Sequence, residues 1–182
     1  MDPLMHILLP TLFLLAIRLD PKMVILFSPL TILPDFDAAF GLHRAVFHSF
    51  VPVVVIPVAL IVYSKLRKPE WLAGALLVQF FLASHVVLDL GGVAFLWPFV
   101  EDQFYFDPVI TFGLQGGIDF DFQLEYGWRP YEPMETTQFV SESGFAIIFL
   151  AVLMAVVFRK EAVAAFRGGW KIVADFLSRL RR

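Results

Sequence analysis

The chain has no cysteine. That excludes disulfide staples and thiolate ligands, so any metal it binds must be held by imidazole, carboxylate or other oxygen donors. Histidine is sparse as well, with four in 182 residues, and His6, His43, His48 and His85 all lie in the first half of the chain. Bases are nearly missing from one long stretch. Between Gly91 and Glu142, Arg129 stands alone against Glu101, Asp102, Asp107, Asp119, Asp121, Glu125, Glu132, Glu135 and Glu142. No nucleic-acid partner is expected. The first apolar stretch, Met5 to Ile17, lacks both a basic leading segment and a small-residue cleavage site, so it is read as part of the mature fold rather than as a removable signal. No linker or internal repeat interrupts the chain.

What is abundant is apolar surface: 59% hydrophobic residues and a mean hydropathy of +0.76, well above the roughly 45–50% apolar share of soluble domains. The expected fold class is all-α, a multi-pass transmembrane bundle of about four to five segments, each needing about 20 helical residues. The strongest spans are Ala45 to Tyr63, Trp71 to Leu90 and Gly144 to Phe158. Met5 to Ile17 and Met23 to Leu33 read as a tight pair of shorter helices. Lys65, Arg67 and Lys68 mark one cytoplasmic turn, and the basic tail from Arg159 to Arg182 marks another by the positive-inside rule. The N-terminus and the acidic segment 91–142 then lie outside, in a cell (inner) membrane protein.

Two units follow: a membrane domain over 1–158, with 91–142 as an acidic insertion on the outer side, and a tail helix over 159–182. In the insertion, Ile118, Phe120, Phe122 and Leu124 alternate with Asp119, Asp121, Gln123 and Glu125, the period of a half-buried strand, before a turn at Tyr126-Gly127-Trp128-Arg129-Pro130. A small hairpin or lid is expected there. In the tail, Val163, Phe166, Trp170, Val173, Leu177 and Leu180 recur at helical spacing opposite Arg167, Lys171 and Arg179, the pattern of an amphipathic helix on an anionic leaflet.

Ionisable residues inside apolar spans are costly and are functional candidates by default. His85 and Asp89 stand at i and i+4, about 40° apart on one helical face, the spacing of two ligands for one metal or of a ligand and its carboxylate orienter. His43 and His48 are five apart and converge only if His43 lies at or before a helix N-terminus. Pro52, which cannot donate to the carbonyl of His48, is expected to kink the helix beside it. Asp35 and Asp37 follow Pro34, a pair that also suits a turn or cap. All four histidines, with Asp35, Asp37 and Asp89, fall on one expected membrane side. That joint occurrence points to a metal site rather than to separate core pairs.

The order His6, Leu33-Pro34-Asp35-Phe36-Asp37, His43-Arg44-x-x-x-His48-Ser49, Ser84-His85-x-x-x-Asp89, Gly92 and Leu96-Trp97-Pro98 resembles the membrane-bound predicted metal-dependent hydrolases, a family typified by a LexA-regulated inner-membrane protein. The likeness covers roughly Met5 to Phe99. It implies a multi-pass helical fold distantly similar to zinc-dependent phospholipase C, with His6, Asp35, His48, His85 and Asp89 as metal ligands. Ala45 and Phe47 stand where that family usually has Gly and Thr, the stretch from Asp89 to Trp97 is short, and no histidine follows residue 85.

The function expected on these grounds is membrane-embedded, metal-dependent hydrolysis by metal-activated water. The cofactor would be one or two divalent ions, zinc in the first place, with manganese or iron also suited to such ligands. Asp37 or His43 would act as general base or orienter, and Arg44 would hold an anionic oxygen or else pair with Asp35 or Asp37. The expected partners are membrane lipids and a phosphoester or other anionic substrate at the outer interface. The alternative is a non-enzymatic transport or metal-handling protein built on the same cluster.

Overall fold

A computed structural model describes residues 3–113 and 119–132, and beyond these only scattered helical positions between 145 and 167. Helix α1 (Pro3–Ala16) is followed by a reversal in which Arg18 takes a positive φ of 62°. Asp20 then caps α2, its side chain accepting from the backbone N–H of Lys22 at 3.0 Å. Pro21 occupies the first helical position, where a missing N–H costs nothing.

The second helix does not stop near Leu33. Pro21–Phe27 is α-helical, and the same rod continues as a 3-10 helix over Ser28–Phe40. Thirteen residues of 3-10 winding is long for that geometry, and the buried positions explain what it achieves. Ser28, Thr31, Pro34 and Asp37 are buried, at steps of three residues. With three residues per turn they form one straight stripe; at 100° per residue the stripe would have wound halfway round the rod. The buried hydroxyls within it are satisfied locally, Ser28 donating to the Ile25 carbonyl at 3.0 Å and Thr31 to that of Ser28 at 2.7 Å. Gly41, at φ +70°, ends the rod in the left-handed conformation that glycine adopts without penalty.

Helix α3 opens with a π turn at Val51–Val55 and continues as Ile56–Arg67. The wide turn contains Pro52, which has no N–H to donate, and no helix runs through His48 for it to kink. Helix α4 begins with the short 3-10 turn Pro69–Trp71 and runs through Leu72–Leu88. It is the hub, packing against α1, α2 and α3. Leu14, Val24, Leu77 and Phe81 form one buried cluster, and Val53, Leu82, Val86 and Val93 form another.

After α4 the chain leaves the helical body. Strands β1 (Asp102–Gly113) and β2 (Asp119–Pro130) pair antiparallel, from Asp102 opposite Pro130 to Gly113 opposite Asp119. The ribbon is tied to the body by a bridge between Val93 and Phe104 and by the Phe106 N–H, which donates to the Leu90 carbonyl at 2.8 Å. Gly92, at φ +153°, lets the backbone pass under this base, for a Cβ there would lie 3.0 Å from the Gln103 amide oxygen.

These findings correct the expected fold class. The fold is not all-α: the acidic segment contributes a two-stranded antiparallel sheet. Nor do the described residues form a bundle of four to five membrane spans, because only Pro21–Phe40 and Pro69–Leu88 are long and apolar enough to cross a bilayer by length and composition. The expected span from Ala45 loses its first turns to an irregular loop, and α1 is a shorter apolar helix. Pro21–Phe40, by contrast, gains length from its 3-10 half, reaching roughly 36 Å at 1.5 Å per α residue and 2.0 Å per 3-10 residue. The turn expected at Tyr126-Gly127-Trp128-Arg129-Pro130 is strand. There, pairing with Asp102–Phe106 outweighs the local turn signal of Gly127 and Pro130. The span expected at 144–158 and the tail helix at 159–182 lie outside the residues described as continuous structure.

Candidate metal centre

The site forms where three chain segments end at the same level. The 3-10 rod ends in Asp35 and Asp37, α4 ends in His85 and Asp89, and between the two helices runs the loop of residues 42–49 that carries His43, Arg44 and His48. His43 therefore does precede the helix, which is the condition for it to converge with His48. The loop is fixed by its backbone. The Leu42 N–H donates to the Asp37 carbonyl at 3.3 Å, the Ala45 N–H to the Asp37 carboxylate at 3.1 Å, and the Ala94 N–H to the Arg44 carbonyl at 2.9 Å. Arg44 sits at φ +66°, a strained conformation for a residue with a Cβ.

Asp35, His48, His85 and Asp89 each present one donor atom such that all four lie within 4.8 Å of one another, three of the residues being buried and Asp35 partly exposed. The Nε2 atoms of His48 and His85 are 2.9 Å apart. Asp35 Oδ1 is 3.3 Å from His85 Nε2 and 3.9 Å from His48 Nε2, while Asp89 Oδ2 is 3.6 Å from each. For comparison, donors on a tetrahedral ion with bonds of about 2.0–2.1 Å are about 3.3 Å apart. The four donors can hold a metal ion.

Charge supports the same reading. Asp35, Asp37 and Asp89 place three carboxylates in the cluster, and Arg44 supplies one cation, its Nη2 donating to Asp89 Oδ1 at 3.0 Å. With the imidazoles neutral, as metal ligands must be, a charge of −2 is left in a largely buried volume. Burial of unbalanced charge is strongly unfavourable, and Asp89 has the further handicap of standing at the C-terminal, negative end of α4. A divalent cation removes both problems. Asp35 Oδ2 is buried without a hydrogen-bond partner among the described residues, as is Nδ1 of His85.

Asp37 has a different position. Its Oδ2 accepts from His48 Nδ1 at 2.8 Å, and its Oδ1 lies 3.4 Å from Nδ1 of His43. A proton on His48 Nδ1 leaves the Nε2 lone pair directed at the cluster, the carboxylate–histidine arrangement that orients metal ligands. His6 stands beside the four rather than among them. Its ring stacks on His85 with centroids 4.0 Å apart, and its Nε2 is 3.3 Å from Asp89 Oδ1. His43 lies 3.9 Å from Asp35 and edge-on to His48. Arg44 departs from the expected pairing: it engages Asp89, not Asp35 or Asp37. Its Nε remains buried with no hydrogen-bond partner among the described residues.

Sequence reasoning missed one residue of the surround. Tyr131 donates its hydroxyl to the His43 carbonyl across 88 positions of chain, and no local pattern marks it. Burial, reinforced by the negative charge of Asp37, pushes its pKa above the usual 10.0. No family model, no curated protein and no solved structure matches this chain.

Proposed function

We propose that this chain is a membrane-bound, metal-dependent hydrolase acting on a phosphoester or similarly anionic ester at the membrane surface, as in the family its motifs resemble. The observation that carries the reading is the four-donor cluster of Asp35, His48, His85 and Asp89, backed by the Asp37–His48 hydrogen bond. Two imidazoles and two carboxylates suit zinc, and also manganese or iron. One ion is the number the charge supports, since a single divalent cation balances the −2 left by three carboxylates and Arg44. Bound there, the ion would supply a Lewis acid that polarises a substrate oxygen and acidifies water.

The chain's own residues complete the chemistry. Asp37 keeps the His48 lone pair facing inward. Four protein donors leave room for a further ligand only if the ion takes five or six, and Asp35, the one donor that is not fully buried, borders the side from which substrate enters. Arg44 holds Asp89 with Nη2 and offers Nε to an anionic oxygen, where a fixed cation contributes most as charge develops. His43, between Asp35 and Asp37, is the group that accepts or returns a proton. The membrane placement follows the charge pattern: the ligand end and residues 91–142 outside, the turn at Lys65–Lys68 and the basic tail inside.

Purified protein should bind one equivalent of divalent metal and turn over a member of a panel of phosphomonoesters, phosphodiesters and phospholipids, and His85→Ala should lose both properties. A metal-loaded wild type inert towards the whole panel would replace this reading with metal handling.

A further inference from the structure

The ribbon of β1 and β2 has two chemically distinct faces that the sequence pattern alone did not assign, since the partner strand was missing from it. The register puts Phe106 opposite Tyr126, Pro108 opposite Leu124 and Ile110 opposite Phe122 on one face. The pairs between them, Asp107 with Glu125, Val109 with Gln123 and Thr111 with Asp121, point the other way. Apart from Val109 the second face is polar. The first is apolar and open: Ile110 is 63% exposed, Phe122 56% and Tyr126 67%. Among the described residues neither strand packs against a helix.

We infer that this ribbon is an interfacial anchor, its aromatic face seated in the headgroup and upper acyl region of a zwitterionic bilayer and its acidic face in water. The inference rests on the membrane placement proposed above. Asp107 and Glu125 are like charges directly opposite one another, a pairing that destabilises a sheet unless water screens it, so the acidic face must stay wet. The apolar face needs a cover, because an isolated two-stranded hairpin is marginal in water. A second copy is a poor one. Taken at about 200 Å² per large side chain, the exposed fractions of Phe106, Ile110, Phe120, Phe122, Leu124 and Tyr126 offer a second copy roughly 650 Å², below the about 800 Å² per partner of a stable complex. Lipid has no such minimum, and the helical body exposes apolar side chains of its own, such as Leu33, Phe36 and Leu76, for the same solvent. Tyr126 and Trp128 are the aromatic types that favour the membrane–water boundary. The five carboxylates along the ribbon, Asp102 at its base and Asp107, Asp119, Asp121 and Glu125 beyond it, disfavour an anionic surface.

Because the ribbon base is hydrogen-bonded to Leu90 and Val93, just past Asp89, seating it sets the metal centre at headgroup depth. The experiment uses the full chain in phosphatidylcholine vesicles, with single cysteines introduced into the naturally cysteine-free protein and labelled with a polarity-sensitive fluorophore. Labels at Phe122→Cys and Ile110→Cys should be quenched by spin-labelled lipid at least twofold more than a label at Asp121→Cys, and iodide in the water should show the reverse order. Equal iodide quenching of both faces overturns the anchor, and so does an aromatic face shielded from lipid and iodide alike, which would mean a protein cover. A label at Leu76→Cys on α4 separates the two levels. Lipid quenching there with none at Phe122→Cys sinks the anchor alone, whereas none at either sinks the membrane placement with it. Turnover of the phosphoester panel reports on the hydrolase reading independently.

Discussion

Replacing Asp37 by Asn tests whether the centre is organised as its geometry says, because Asp37 is not one of the four donors and is hydrogen-bonded to one of them, His48. The substitution keeps volume and planarity in a buried position and removes one negative charge. In the wild type the carboxylate accepts from His48 Nδ1 at 2.8 Å and from the Ala45 N–H at 3.1 Å. Both bonds reach the same oxygen, Oδ2, and an amide oxygen in its place can still accept both, but it is neutral, so it holds the imidazole tautomer less firmly and makes Nε2 a weaker donor. Orienting carboxylates of this kind contribute about 10- to 100-fold to metal affinity, or about 1.4–2.8 kcal/mol. The Kd for zinc, measured by competition with a chromophoric chelator, should rise by that factor with the stoichiometry unchanged. His85→Ala removes a donor outright and should lose far more. Two outcomes refute the reasoning. If Asp37→Asn binds within threefold of the wild type, the His48 hydrogen bond does not serve the metal. If it loses as much as His85→Ala, Asp37 is itself a ligand and the four-donor set is wrong.

The charge count makes a prediction of opposite sign. Asp35→Asn, by removing one unbalanced carboxylate, should stabilise the metal-free protein by on the order of 1 kcal/mol, raising its Tm, while abolishing the further rise on adding metal; a lower metal-free Tm would contradict the −2 accounting. Arg44→Lys keeps the charge but loses the fork that reaches Asp89 and offers Nε, so metal content should persist while turnover falls about tenfold, about 1.4 kcal/mol of transition-state stabilisation. Equal loss of metal and turnover would instead make Arg44 a brace for Asp89 only. For Tyr131 the folded-state pKa lies above the unfolded value. Its contribution is therefore complete below about pH 10, the model-peptide value, and is lost as pH rises beyond it, when the unfolded chain ionises first. Thermal melts between pH 9 and 11 should fall less steeply for Tyr131→Phe than for the wild type, and parallel curves would show that the phenol is not linked to folding.

The family resemblance names His6, Asp35, His48, His85 and Asp89, and four of these offer donors within 4.8 Å of one another; local chemistry alone marks them only as costly. Imidazole and carboxylate are too costly to scatter through apolar segments without purpose, so His48, His85, Asp89 and Asp35 stand out wherever the chain goes. The i, i+4 spacing of His85 and Asp89 survives folding because it is a property of one helix, whereas the helix kink expected beside His48 is replaced by a loop through His48 and a π turn at Val51–Val55. Strand character in 119–125 was equally readable from its alternation, as was the apolar character of the helices.

What depended on distant neighbours was decided by the tertiary structure. The 3-10 winding that aligns Ser28, Thr31, Pro34 and Asp37 is chosen by packing against α1 and α4, since intrinsic preference would have kept the α-helix. Residues 102–113 carry no clean alternation and become a strand by pairing with 119–130, which also overrides the turn signal at Gly127 and Pro130. The partner of Arg44 was undecidable along the chain. Asp35, Asp37 and Asp89 compete for it, and the choice of Asp89 follows from a loop held by Ala94 and Asp37, contacts that exist only after α4 and the rod have brought their ends together. A sequence states which groups are too costly to leave unpaired; only the fold brings the backbone segments close enough to settle the pairs.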